Sequence, residues 1–283
     1  MPVLQTEIWQ LECFYINLDS AMQRRKNLES NFNAVRQPHW NLTRYPAKDV
    51  AFVEAQKIPG RLRPSEKACF ASHRDLILQS MRVEGHVMIL EDDACFGRLT
   101  CEAVDRHIVA NGQLTGWDII YTDVGIPNIG DMVEMVRMRQ QLDPATLNFF
   151  DLRAVAYAAA TAYIVHKDSK RKLYDLLSQA ATLDVPYDLY LRKLVVESRI
   201  TALAAFPFVT TLSDDADISQ IQLGAHGVTE TALGLFRKMI WRERDLSAQR
   251  ALLAQLDRAF CDEESRAFGT LWAVMANRGF QIK

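Results

Sequence analysis

Short apolar runs alternate with amphipathic stretches along most of this chain, and that alternation predicts its architecture. Residues 13–16, 87–90, 118–121, 162–165 and 200–209, the last interrupted at Pro207, hold too few polar positions for half-solvated strands and read as buried ones. Between them, residues 20–32, 66–83, 101–111 and 169–180 read as helices, the first capped by Asp19 or Ser20. Strand and helix signals in alternation imply an α/β fold, a mostly parallel sheet with helices on both faces. Residues 122–153, with Gly125, Pro127, Gly130, Pro144 and weak periodicity, read as an irregular insertion or flexible loop over the sheet. Beyond Gly227 the signal turns helical, with Leu233, Phe236, Met239 and Ile240 spaced for one apolar face. The expected division is a sheet-based domain over 1–227 and a C-terminal helical subdomain over 228–283.

One apolar run ends in unusual chemistry: Val87-Met88-Ile89-Leu90 passes directly into Glu91-Asp92-Asp93. In an open α/β sheet the carboxyl ends of the strands are where ligands bind. Three adjacent carboxylates raise one another's pKa unless something positive neutralises them, and a divalent cation is the simplest candidate. With oxygen ligands only, and no His or Cys beside them in the sequence, such a site suits Mg²⁺ or Mn²⁺ better than zinc. A solvated acidic turn capping the next helix explains the triplet alone equally well.

Composition narrows the class. The chain has 283 residues, 49% of them hydrophobic and 24% charged, with formal net charge −2, as in an ordinary soluble globular protein. Its basic residues form no long block that could track a phosphate backbone, so nucleic acid is excluded as an expected partner. Cys13, Cys69, Cys95, Cys101 and Cys261 make an odd set without a C-x-x-C pair, which argues against both a disulfide framework and a zinc site. Residues 1–10 lack a signal-peptide pattern, and no apolar run reaches membrane-spanning length; the expectation is a cytoplasmic protein.

Six ordered blocks then carry a resemblance. They are Tyr15-Ile16-Asn17-Leu18-Asp19 with Arg24-Arg25; Ser65-Glu66-Lys67-Ala68-Cys69-Phe70-Ala71-Ser72-His73-Arg74; Ile89 to Asp93; Trp117-Asp118-Ile119-Ile120-Tyr121; Thr161-Ala162-Tyr163-Ile164-Val165; and Pro186-Tyr187-Asp188. Together they resemble glycosyltransferase family 25, the lipopolysaccharide and lipooligosaccharide biosynthesis glycosyltransferases, across residues 13–220. Ser65 and Ala68 stand where that family has glycines, and Ala160 precedes Thr161 where glycine is common, changes that bear on loop conformation.

The resemblance implies a GT-A-like nucleotide-binding sheet and transfer of a hexose, galactose first, from a UDP-sugar to a hydroxyl of a lipopolysaccharide, lipooligosaccharide or other surface glycan, with inversion. An Asp-x-Asp-like signature in such enzymes holds Mn²⁺ or Mg²⁺, and Glu91-x-Asp93 has that spacing. Alternation along an extended segment puts Glu91 and Asp93 on one side and Asp92 on the other, which makes Asp93 the leading metal ligand. The donor-binding candidates are Asn17, Asp19, Arg24, Arg25, Ser72, His73, Asp92, Thr161 and Tyr163. Asn17 and Asp19 offer an amide and a carboxylate to a nucleobase or ribose, although a turn amide and a helix cap account for them as readily. Arg24 and Arg25 suit a diphosphate, and either also suits a solvated face. Ser72 and His73 are neighbours in a helix, so they diverge and do not form a nucleophile and base pair. Asp188 is the expected base and Asp123 the second candidate; His226, between Gly224 and Gly227, is a further ligand candidate for the metal.

Beside the tail's apolar stripe lie Arg237, Lys238, Trp241, Arg242 and Arg244, an arrangement suited to peripheral contact with the cytoplasmic face of the inner membrane and to a lipid-linked glycan acceptor. Packing of the stripe on its own domain is the commoner outcome. Rival functions are a non-catalytic nucleotide-sugar or glycan binding module and a metal-dependent phosphoesterase; the second lacks a supporting Asp-x-Asp nucleophile or histidine cluster.

Overall fold

The computed structural model describes residues 11–111, 113–143, 146–213 and 228–248, together with 251, 254–255, 262–265 and 267. In chain order the elements are β1 (Leu11–Asn17), α1 (Met22–Val35), β2 (Trp40–Pro46), α2 (Val50–Ala55), α3 (Pro64–Ser80), β3 (Val87–Glu91), β4 (Ala94–Phe96) and α4 (Thr100–Val104), which runs into a π-helical turn. There follow β5 (Ile119–Tyr121), α5 (Ile129–Gln141), β6 (Asn148–Asp151), β7 (Ala162–Val165), α6 (Lys170–Ser178), α7 (Tyr187–Val196), β8 (Ala202–Phe206), β9 (Thr210–Leu212) and α8 (Val228–Ile240). Seven strands form one sheet in the order β2-β1-β3-β7-β5-β8-β6, and β4 pairs with β9 in a small antiparallel ribbon. Five strands of the main sheet point one way, with β7 and β6 reversed, so the sheet is α/β and mostly parallel in direction.

The uninterrupted apolar runs are explained by burial on both faces. Along β3, Val87 and Ile89 enter a core shared with Phe70, Leu76 and Ile77 of α3, Leu173 and Leu177 of α6, and Leu191 and Val195 of α7. Met88 and Leu90 point the other way, into a core closed by Leu28 and Phe32 of α1 and Cys101 and Val104 of α4. Alternate residues thus serve opposite faces. Each such Leu, Ile or Val contributes about 1.5–3 kcal/mol by leaving water.

The reading of 122–153 as an irregular insertion is corrected: those residues contain α5 and β6. The Asn128 side chain caps α5 by accepting from the Asp131 N–H at 3.1 Å, and Met132, Met135, Val136 and Arg139 form its buried side. Gly130 falls in the first turn, where it does not interrupt the helix. On that buried side Arg139 donates to the carbonyls of Trp241, Arg242 and Arg244 in the turn that follows α8, tying the two segments together.

The described part of the tail packs inward. Phe236 and Ile240 of α8 are buried in the core, Phe236 meeting Phe208 edge-on at 6.4 Å, and Met239 lies against them. Arg237, expected beside the stripe in the basic cluster, is itself buried. The Leu233 side chain lies outside the described residues, as do Cys261, Pro144 and residues 1–10. Among the described residues, the four cysteines are free, and no helix is long and apolar enough to cross a membrane.

Lys170 shows how the helical layer is tied down. Its buried ammonium donates to the carbonyls of Ser80, Val83 and Gly85 at 3.2, 2.5 and 2.7 Å, satisfying the end of α3 and the turn beyond it. Lys170→Met keeps the stem but strands three carbonyls. We expect it to cost about 3 kcal/mol in urea denaturation. A loss within experimental error would show that the interaction adds nothing net.

Candidate active site

Parallel pairing of β1 with β3 sets Ile16 opposite Glu91, so both strands deliver their carboxyl ends to one place. Asn17 is nearly fully buried there. Its amide nitrogen donates to Asp92 Oδ2 at 2.7 Å and to the Ala21 carbonyl at 3.1 Å, while its oxygen accepts from Arg44 Nε at 3.0 Å. With both ends of the amide engaged, Asn17 braces Asp92. Arg24 donates to the other oxygen of Asp92 at 2.9 Å and stands 4.0 Å from Asp93. Asp19 is exposed at the same edge and paired with Arg44. The two adjacent arginines separate: Arg25 turns to the surface and pairs with Glu29, which also accepts from the Tyr15 hydroxyl.

The other two carboxylates are left in a strained electrostatic setting. Asp93 Oδ1 is buried without a hydrogen-bond partner, while the Asp93 carbonyl accepts from the Ser213 N–H at 2.8 Å. Burial, then the neighbouring Glu91 carboxylate, push Asp93 up to about 7 against the opposing pull of Arg24. Burial also raises Asp92, despite its bonds to Asn17 and Arg24. Glu91 behaves differently: burial pushes it up, but His73, Arg237 and Arg24 together outweigh that and hold it below the ordinary carboxylate range. An orphaned buried carboxylate oxygen beside a second carboxylate is a vacancy of charge that a hard dication satisfies. Glu91 and Asp93 offer oxygen donors only, the chemistry that a hard dication takes.

Behind Glu91 runs a buried chain of polar groups. His73 Nε2 lies 3.4 Å from Glu91 Oε1, its Nδ1 lies 2.9 Å from the Tyr163 hydroxyl, and that hydroxyl lies 2.8 Å from the hydroxyl of Tyr187. The His73 ring stacks on Tyr187 at 4.1 Å and 11°. Ser72 faces elsewhere, donating to the Ala68 carbonyl at 2.7 Å and accepting from the Lys48 N–H at 2.8 Å. Thr161 is buried and accepts the Glu91 N–H on its carbonyl at 2.8 Å. The sequence expectation that no His or Cys accompanies the acidic end is corrected here. Among the described residues, Cys69, His73 and Glu91 form a group whose ligand atoms all lie within 4.8 Å of one another.

Asp188, in the first turn of α7, is partly buried and accepts the Ala159 N–H at 2.8 Å. Ala159 has φ of 70°, so the left-handed position that favours glycine is 159 rather than 160. Burial, then the charges of Glu91, Asp188 and Asp93, raise the Cys69 thiol. Asp123 is differently placed. It is fully buried beyond β5, gripped by two nitrogens of Arg237, one of them Nε at 2.9 Å, and approached by Thr210. His226 lies outside the described residues.

Four contributors stand outside the sequence candidates, Cys69 among them. Arg44 sits on β2, an edge strand in which only Trp40 and Tyr45 are buried, so no apolar run marks it. Arg237 was read as part of a basic surface, and Tyr187 as a neighbour of Asp188 rather than as the ring beneath His73.

The model of glycosyltransferase family 25, described as LPS biosynthesis protein, matches residues 10–191. None of the curated proteins compared matches the chain. Among solved structures, the apo form of mouse xyloside xylosyltransferase 1 is similar at 12% identity and a TM-score of 0.31, over 68% of this chain and 64% of that one. The chain thus spans less than two thirds of that protein, and at this score the likeness decides nothing about the site.

Proposed function

The chain belongs to glycosyltransferase family 25, and from that premise we propose that it transfers a hexose, galactose first, from a UDP-sugar to a hydroxyl of a lipopolysaccharide, lipooligosaccharide or other surface glycan. The observation that carries the reading is the acidic end of β3, where Asp93 keeps an unpartnered buried oxygen beside Glu91 while Arg24 holds positive charge at the same edge. Glu91 and Asp93 would hold Mn²⁺ or Mg²⁺, which when bound supplies neutralising charge for the departing nucleoside diphosphate. Arg24, oriented by Asp92, adds its guanidinium to that anion's surroundings, and exposed Asp19 is the carboxylate available to a ribose hydroxyl. Asn17, Ser72, Thr161 and Tyr163 build the wall behind them.

Asp188 is the base. It takes the proton of the acceptor hydroxyl; the acceptor oxygen bonds to the anomeric carbon from the face opposite the nucleotide, and the electron pair of the breaking C–O bond leaves on the diphosphate. That order inverts the centre. The Ala159 N–H fixes the carboxylate of Asp188, whereas Asp123 is committed to Arg237 and has no exposure to an acceptor. Contact with a bilayer through the tail's stripe would require Phe236 and Ile240 to leave the core, so α8 lends that contact no support.

A donor screen tests the reading. With Mn²⁺ present, nucleotide release is expected from UDP-hexoses, UDP-galactose above the rest, and not from GDP- or CMP-sugars. Release confined to GDP- or CMP-sugars would overturn the donor. Binding of UDP without release from any donor, glycan acceptors included, would favour a binding module.

A further inference from the structure

We propose that Cys69, His73 and Glu91 form a binding site for a borderline transition cation of the zinc type, with three protein ligands and one open coordination position. The site goes beyond the oxygen-ligated donor metal and shares only Glu91 with it. Cys69 and His73 are four residues apart on α3, so they occupy one helical face, and that face meets the carboxyl end of β3. Their ligand atoms and that of Glu91 lie within 4.8 Å of one another.

The separation of His73 Nε2 from Glu91 Oε1, 3.4 Å, is informative. It is long for an N–H···O hydrogen bond, which clusters near about 2.9–3.0 Å. It is close to the roughly 3.3 Å expected between two ligands that each lie about 2.0–2.1 Å from a tetrahedral centre. The outer groups are also those a metal-bound imidazole uses. His73 Nδ1 is engaged by the Tyr163 hydroxyl, which Tyr187 engages in turn, and Tyr187 clamps the ring face. This fixes which nitrogen points at Glu91.

Charge and chemistry agree. Asp93 and Asp188 add negative field around Cys69, which penalises a bare thiolate and attracts a dication. A sulfur, an imidazole nitrogen and a carboxylate together select zinc-like cations over Mn²⁺ or Mg²⁺. On binding, the Cys69 thiol loses its proton to solvent and the sulfur donates a pair to the cation. Cys69 is free, so no disulfide competes for its sulfur. Because Glu91 is shared, zinc here withdraws a ligand from the donor metal, and zinc then inhibits Mn²⁺-supported turnover; that consequence alone rests on the proposed function.

The test uses the full chain, stripped with EDTA and dialysed against Zn²⁺ and then buffer. About one zinc per chain should be retained, and Co²⁺ in its place should give a thiolate-to-cobalt charge-transfer band. Cys69→Ser should lose the band and weaken Zn²⁺ by at least about tenfold, while Cys95→Ser keeps both. Should Cys69→Ser not fold, peptide mapping of the wild type after alkylation decides, with Zn²⁺ expected to protect Cys69. No retained zinc, a band that survives in Cys69→Ser, or an unprotected Cys69 overturns the site. Zinc binding, together with no nucleotide release from any donor in zinc-free Mn²⁺, would refute the transferase reading and leave this site standing; UDP-sugar turnover without zinc binding would do the reverse.

Discussion

Asp93→Asn should weaken UDP binding in the presence of Mn²⁺ by at least tenfold, about 1.4 kcal/mol, in calorimetric titration. The substitution keeps the side chain's shape and removes the charge that faces Glu91. Its effect on the fold should have the opposite sign. Burial and the like charge of Glu91 already oppose ionisation of Asp93, so removing that charge relieves repulsion, and thermal stability should hold or rise. A carboxylate kept only for the fold would show the converse, with unchanged UDP affinity and a lower melting temperature.

Asp188→Asn should lower kcat by about 10²–10⁴ while UDP affinity stays near wild type. The amide oxygen of Asn can still accept the Ala159 N–H, so the left-handed residue at 159 keeps its anchor. Asp188→Ala removes that anchor as well and should add a stability loss of about 1 kcal/mol that the Asn variant does not show. Turnover retained in Asp188→Asn would reject Asp188 as the base. Lost UDP binding would make it a donor ligand instead.

What could be read in the sequence depended on whether the signal was local. The apolar runs of β3 and β7 announce themselves because both of their faces are buried, and alternate side chains need no polar positions. β2 escaped notice because it is an edge strand, with Asn41, Thr43 and Arg44 between its buried residues. In 122–153 the turn residues hid α5, whose apolar positions face a helix far along the chain. The acidic triplet was legible as chemistry, and the divergence of Ser72 from His73 followed from helical geometry. The partners of these groups were not. Asn17 meets Asp92 across 75 positions and Asp123 meets Arg237 across 114, pairings that exist only once the sheet has formed. Cys69 has no C-x-x-C partner, so the cysteine spacings do not mark it. On a helix the informative spacing is four residues, and His73 stands at that distance.

The account's central claim is metal-dependent transfer from a nucleotide sugar at the shared carboxyl end of β1 and β3. UDP release from UDP-galactose, followed in the full chain with Mn²⁺ and again after excess EDTA, tests it most directly. Release that EDTA abolishes, Mn²⁺ restores and Asp93→Asn lacks is the predicted result; release untouched by EDTA and by Asp93→Asn would contradict it.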